Sequence, residues 1–170
     1  MLFPKLWPAI EGSPVGQFIA ASSWAFPTLE CVHVIAITTV IGTILVMDLR
    51  LIGLASTQIP VTVMSKDTLG WTWGAFVLAF ITGTLLFISK ATNYVVNPFF
   101  FWKLVMIGVA GVNMAIFNFI TSRSVESWDA DPQLPRNAKI AGGVSLSLWV
   151  LIVFLGRAIG FTLDKYYTGS

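Results

Sequence analysis

The feature that most constrains this chain is a set of four apolar stretches, each long enough to cross a bilayer. A transmembrane helix needs about 20 consecutive, mostly apolar residues. In lipid, such a helix satisfies all of its backbone polar groups within one segment. The stretches lie at residues 27–49, 68–90, 98–122 and 140–163. Only 11% of the 170 residues are charged, against about 25% in a soluble domain, so the chain lacks the polar residues to cover a water-facing surface. The expectation is an all-α fold: an integral membrane four-helix bundle over 27–170, preceded by an N-terminal segment over 1–26 that carries an interfacial helix.

That first segment does not have the pattern of a signal peptide, because Pro8, Glu11, Gly12 and Pro14 interrupt any apolar core. Ser13-Pro14 predicts a helix start, with serine as cap and proline in the first turn. The helix that follows, to about residue 25, is too short to span. It predicts an element lying in the interface, with Phe18 and Trp24 toward lipid. Pro27 suits the opening of the first span. Trp71 and Trp73, and Tyr166-Tyr167, sit where aromatic belts belong. Gly156 and Gly160 have the GxxxG spacing of close helix contacts.

Several function classes fall away. Ten cations face eight acids without a basic run, so nothing tracks a nucleic-acid backbone. A single cysteine, Cys31, excludes an intrachain disulfide and cysteine-rich zinc or iron–sulfur sites from this chain alone. A single histidine excludes multi-histidine metal sites within one chain. No P-loop, HExxH or Ser–His–Asp pattern is present. With Lys103 and Arg157 set aside as intramembrane, Lys5, Lys90 and Lys165 oppose Arg50, Lys66, Arg123, Arg136 and Lys139. The positive-inside rule then places the loops at 54–67 and 122–139 in the cytoplasm of a bacterial inner membrane, with both termini periplasmic.

The ionisable residues within the spans gather at one leaflet. At about 1.5 Å per residue, His33 lies roughly 9 Å into the first span and Lys103 roughly 7–8 Å into the third. Glu30 is one turn before His33, Lys90 ends the second span, and Arg157 lies near the end of the fourth. Such residues are costly in lipid and normally face an interior or a wet cavity. Snorkelling of the cations and ion pairing with Glu30 are the structural explanations. The functional one is a cofactor pocket. His33 would be the metal ligand, an axial ligand to haem b iron. Lys90, Lys103 and Arg157 would hold the propionates, and Glu30 would orient the imidazole or move a proton. A second axial ligand would have to be a methionine, another side chain or a group from a partner chain. Copper is disfavoured, because Cys31 and His33 point to different helix faces. At the opposite leaflet, Asp48, Arg50, Asn113, Asn118 and Arg123 form a second polar group. It reads as helix-end capping and ion pairing, or as an entry route for protons or quinone.

His33-Val34, Gly42 and Asp48-Leu49-Arg50-Leu51-Ile52-Gly53, with Thr82-Gly83, Leu86-Phe87, Asn97-Pro98-Phe99 and Lys103, resemble a family of small bacterial four-helix membrane proteins of unknown function. The resemblance covers most of the chain after Trp24, and the Asp-Leu-Arg-Leu-x-Gly stretch is its most specific element. It implies the fold and brings no activity with it. More loosely, the architecture is similar to four-helix b-type cytochromes and to the membrane domain of copper-resistance proteins. The leading expectation is a haem-binding electron-transfer protein that exchanges electrons with quinone or another redox partner. The alternatives are a non-catalytic subunit of a homo- or hetero-oligomeric membrane complex, and a small anion or proton channel.

Overall fold

A computed structural model describes residues 5–117, 119, 125, 128, 129, 131 and 134–166. Four long helices dominate: α3 (Ala25–Ile52), α4 (Val61–Ser89), α6 (Pro98–Ile116) and α7 (Arg136–Thr162). Each is long and apolar enough to cross a membrane. Three short helices, α1 (Leu6–Glu11), α2 (Pro14–Ala21) and α5 (Ala91–Val96), gather at the end of the bundle that carries both termini. There is no strand among the described residues. The far end of the third predicted span, with Asn118 and Arg123, lies outside the described residues, as does Tyr167.

α2, α3 and α6 begin where a neighbouring side chain accepts from an early N–H group, whereas α4 takes its cap from a distant segment. α2 starts at Ser13-Pro14, with the Ser13 hydroxyl accepting from the Gly16 N–H at 3.2 Å. α3 begins at Ala25, whose N–H is taken by the Ser22 hydroxyl. α4 starts at Val61, well before residue 68, because the carboxylate of Asp129 caps it from another loop. That carboxylate accepts from the Thr62 N–H at 2.8 Å and from the Thr62 hydroxyl. α6 is capped by Asn97, whose Oδ1 accepts from the Phe99 N–H. α7 follows Pro135 and so begins at Arg136.

Helix pairs close at small residues. At Gly142 of α7, an added Cβ would lie 2.9 Å from Leu51 Cβ and 3.1 Å from the Asp48 carbonyl of α3. α3 packs on α4 and α7, and α7 packs on α6. The α4–α6 seam is joined at the terminal end by rings, with Phe87 stacked on Phe100 at 5.4 Å and Tyr94 beside both. The three short helices cap this end. Gly16 sits against the Glu11 and Ile88 carbonyls, and the Glu11 carboxylate accepts from the N–H and hydroxyl of Thr92. Asn97 Nδ2 donates to the Thr162 hydroxyl at 3.0 Å.

The loop end holds the densest core: Leu51, Val61, Trp128, Leu134 and Ala138, with Met47, Phe117 and Val125 against it. Around the middle of the bundle the large apolar side chains point outward. Trp71 is 72% exposed, Phe80 69% and Phe154 65%. A soluble surface does not carry such a girdle, whereas a bilayer solvates it. Phe18 and Trp24, expected to face lipid, are exposed and touch edge to face at 6.1 Å.

Two predictions follow from the packing. Gly142→Ala will force α3 and α7 apart and cost about 1–3 kcal/mol, whereas Gly143→Ala, with nothing within 4 Å of its added Cβ, will be neutral. Thermal unfolding in detergent separates the two. Asp129 is the second case. Desolvation pushes its carboxyl upward, but hydrogen bonds from Thr62 and the Val61 backbone, with the Arg50 charge, together hold it below the ordinary value of 3.8. Its contribution to stability is therefore full above that value and is lost as pH falls toward the lower, folded-state pKa. Asp129→Asn will be less stable at neutral pH and will lack this part of the acid transition.

Candidate functional site

His33 lies on the face of α3 that meets α4. Its Nδ1 is 2.9 Å from the hydroxyl oxygen of Thr82, a residue only 4% exposed. The Thr82 hydroxyl proton is already committed, donating to the Leu78 carbonyl at 2.7 Å. Thr82 can therefore only accept from the ring. This makes Nδ1 the protonated nitrogen of a neutral imidazole and leaves Nε2 with the lone pair. The ring fits because the next residue is Gly83: a Cβ there would sit 2.9 Å from His33 Cε1. The Thr82-Gly83 pair thus supplies both an acceptor and room for the ring.

Lys103 enters the same interior from α6. Its Nζ would lie 3.5 Å from a Cβ added at Gly156 of α7, so the lysine head group lies against that helix. The Lys103 charge acts on the His33 ring. Among the described residues, no hydrogen-bond acceptor or carboxylate is paired with that ammonium.

The other predicted residues are placed differently. Glu30 is exposed. Its charge, after burial and together with Asp164, pushes the Tyr94 hydroxyl of α5 up to about 12. The group that orients the imidazole is Thr82. Lys90, at the α4–α5 corner, lies 3.9 Å from Asp164 and 5.6 Å above the Phe26 ring. Arg157 is exposed, with its guanidinium 4.2 Å over Phe161 one turn on. His33 and Lys103 are both half-buried, with the Lys103 charge acting on the ring, whereas Glu30 and Lys90 lie at the terminal rim and Arg157 is on the outer surface. Cys31 is exposed, and no group of three metal-ligating side chains occurs among the described residues.

At the loop end, Arg50 is completely buried. Its Nε donates to the Ile59 carbonyl at 2.7 Å, and one Nη donates to the Asp129 carbonyl at 3.3 Å, with the Asp131 carbonyl at 3.5 Å. Its other Nη has no partner among the described residues, and neither does Oδ2 of Asp48, itself 4% exposed. Asn113 Nδ2 donates to the Ala141 carbonyl of α7 at 3.1 Å.

Fold and interior together define a multi-pass, all-α membrane protein, a four-helix bundle with ionisable groups inside. The chain belongs to DUF6644, described as a family of unknown function, whose model matches residues 15–162. Comparison with curated proteins and with solved structures gives no match.

Because His33 is the sole histidine, selective ¹⁵N-histidine labelling reports one imidazole without assignment. The protein will show the Nδ1–H tautomer. Thr82→Val, which keeps the shape and removes the acceptor, will abolish that preference, and Gly83→Ala will shift both ring nitrogens by displacing the ring.

Proposed function

We propose that this chain is a haem-binding electron-transfer protein of the bacterial inner membrane, in which His33 Nε2 is the axial ligand and Lys103 pairs with a propionate. The observation that carries the reading is the Thr82 relay. Ligating histidines characteristically donate their other ring N–H to an acceptor, which fixes the tautomer and raises ligand basicity. Here the acceptor's own proton is committed to the Leu78 carbonyl, so Nε2 is held ready as a donor to a metal.

His33 would supply one strong ligand to such a group, and Lys103 would supply a cation for one of its carboxylates. An ammonium without a counter-charge inside a span is costly, and a bound carboxylate would offset that cost. Bound haem would supply one-electron chemistry, to be exchanged with quinone. Lys90 and Glu30, at the terminal rim, would then face the periplasm with both termini, and the loop end would face the cytoplasm.

A second reading, a non-catalytic subunit, draws on the glycines that face open space: Gly42 on α3, Gly70 and Gly74 on α4, and Gly108 and Gly111 on α6. These would admit close approach of a partner helix. It predicts a colourless protein from haem-supplied cells.

The test is the visible spectrum of detergent-purified protein, oxidised and then reduced with dithionite. The expected result is a Soret band without sharp α and β bands, as a single strong ligand gives. His33→Ala will lose it, and Lys103→Gln will weaken haem retention by about tenfold. Full haem content in His33→Ala would overturn the assignment.

A further inference from the structure

The four spans do not close into a ring. α3 packs on α4 and on α7, and α7 packs on α6, so the order across the bundle is α4, α3, α7, α6. The two edge helices, α4 and α6, have no packed seam among the described residues. They meet through rings at the terminal end, where Phe87 is stacked on Phe100. One face of a helix recurs at about every seventh residue. Phe80, seven residues before Phe87, is therefore on the face of α4 that carries the stack, and Gly111, eleven residues after Phe100, is on the matching face of α6. Packed helices would cover both. Phe80 is instead 69% exposed, and a Cβ added at Gly111 would meet nothing within 4 Å. Leu104, one turn after Phe100, is also exposed. Below the ring stack the edge helices part and leave a cleft that opens sideways, with α3 and α7 behind it.

The polar groups stand at the head of this cleft. Gly83, one turn before Phe87, has the His33 ring against it. Lys103, three residues after Phe100, extends its ammonium to Gly156 of α7. Both side chains are half-buried, as groups at an opening are. A molecule entering from the side would pass apolar walls and then meet an imidazole and an ammonium. The ammonium calls for an anionic group, and the walls call for a body that dissolves in hydrocarbon. An inorganic anion lacks the second property. A phospholipid keeps its phosphate at the membrane surface, whereas Lys103 lies roughly 7–8 Å inside the span. A flat apolar ring system that carries carboxylates has both properties at the right depth.

We infer that the lateral cleft between α4 and α6 is the seat of the porphyrin, entered from the bilayer, with Phe80 and Leu104 on its two walls and Gly111 leaving it open. This rests on the haem reading above and adds where the ring lies and by which route it arrives. It also accounts for the exposed faces of α4 and α6 below a stack that holds their terminal ends together.

The full chain, purified in detergent, is titrated with haemin and separately with iron-free protoporphyrin IX. Haemin binding is read from the Soret band, and binding of either probe from quenching of tryptophan fluorescence. The iron-free ring cannot be ligated by His33, so it reports the cleft alone. Gly111→Phe places a ring in open space, which spares the fold, and is expected to weaken both probes by at least about tenfold. Gly143→Phe adds the same ring at an open position of α7 and is expected to bind both as the unmodified chain does. The ¹⁵N signals of His33 will be unchanged in Gly111→Phe, which shows that the ligand itself has not moved. Equal haemin affinity in the unmodified chain and Gly111→Phe would overturn the cleft and leave the His33 assignment standing. Protoporphyrin binding that Gly111→Phe abolishes, with haemin retained in His33→Ala, would uphold the cleft and overturn the axial ligand. Failure of the unmodified chain to bind either probe would overturn both.

Discussion

The buried guanidinium of Arg50 is the contact on which the geometry of the loop end depends. From the end of α3 it reaches two other segments: the turn that follows, before α4, and the distant loop that leads to α7. The turn contributes the Ile59 carbonyl and the loop contributes the Asp129 carbonyl. Holding the Asp129 backbone also holds its carboxylate against the first turn of α4. The start of α4, the seating of Trp128 and Leu134, and the entry of α7 at Arg136 therefore share one anchor. A planar fork of donors suits this role, since a lysine would supply the charge without the spread of directions.

The terminal end is organised by caps rather than by one buried charge. Glu11 satisfies the start of α5, Asn97 satisfies the start of α6 and reaches Thr162 of α7, and stacked rings close the seam between α4 and α6. Between these two ends the helices meet at glycines and threonines: Gly142 against Leu51, Gly83 against the His33 ring, and Thr72 against Thr43 at 2.8 Å. In lipid there is no hydrophobic gain from hiding apolar side chains, so close backbone approach and hydrogen bonds between spans take over that role. Few large side chains are buried mid-bundle, which follows from the same cause.

The four spans were legible because the length and polarity of a bilayer-crossing helix are fixed by the bilayer. Their ends were less so. Val61 begins α4 because Asp129, distant in sequence, caps it, and no local signal at residues 61–67 announces that. Ser13-Pro14 was read correctly because its cap is local. The site divides along the same line. The depths of His33 and Lys103 follow from counting residues, but their convergence depends on helix rotation, which packing sets. Arg157 shows the limit: its depth matches theirs, yet it faces outward over Phe161. Thr82 was missed as the partner of His33, although Thr82-Gly83 stood out in the sequence. A small residue beside a hydroxyl, in a span otherwise built of large apolar residues, is the pattern that makes room for a ring and orients it.

The fate of each intramembrane ion separates structural from ligand-facing roles. Lys90 has Asp164 and a ring beneath it, and Arg157 has Phe161. Both are near helix ends, where the head group reaches the interface at little cost. Arg50 is buried but spends most of its donors on loop carbonyls. Lys103 and Asp48 differ from all of these. Asp48 is buried on α3 and Lys103 is half-buried on α6 against Gly156, and they stand toward opposite leaflets. A bundle that needed only cohesion would gain nothing from two such groups, since apolar residues of similar size would pack there without the desolvation cost.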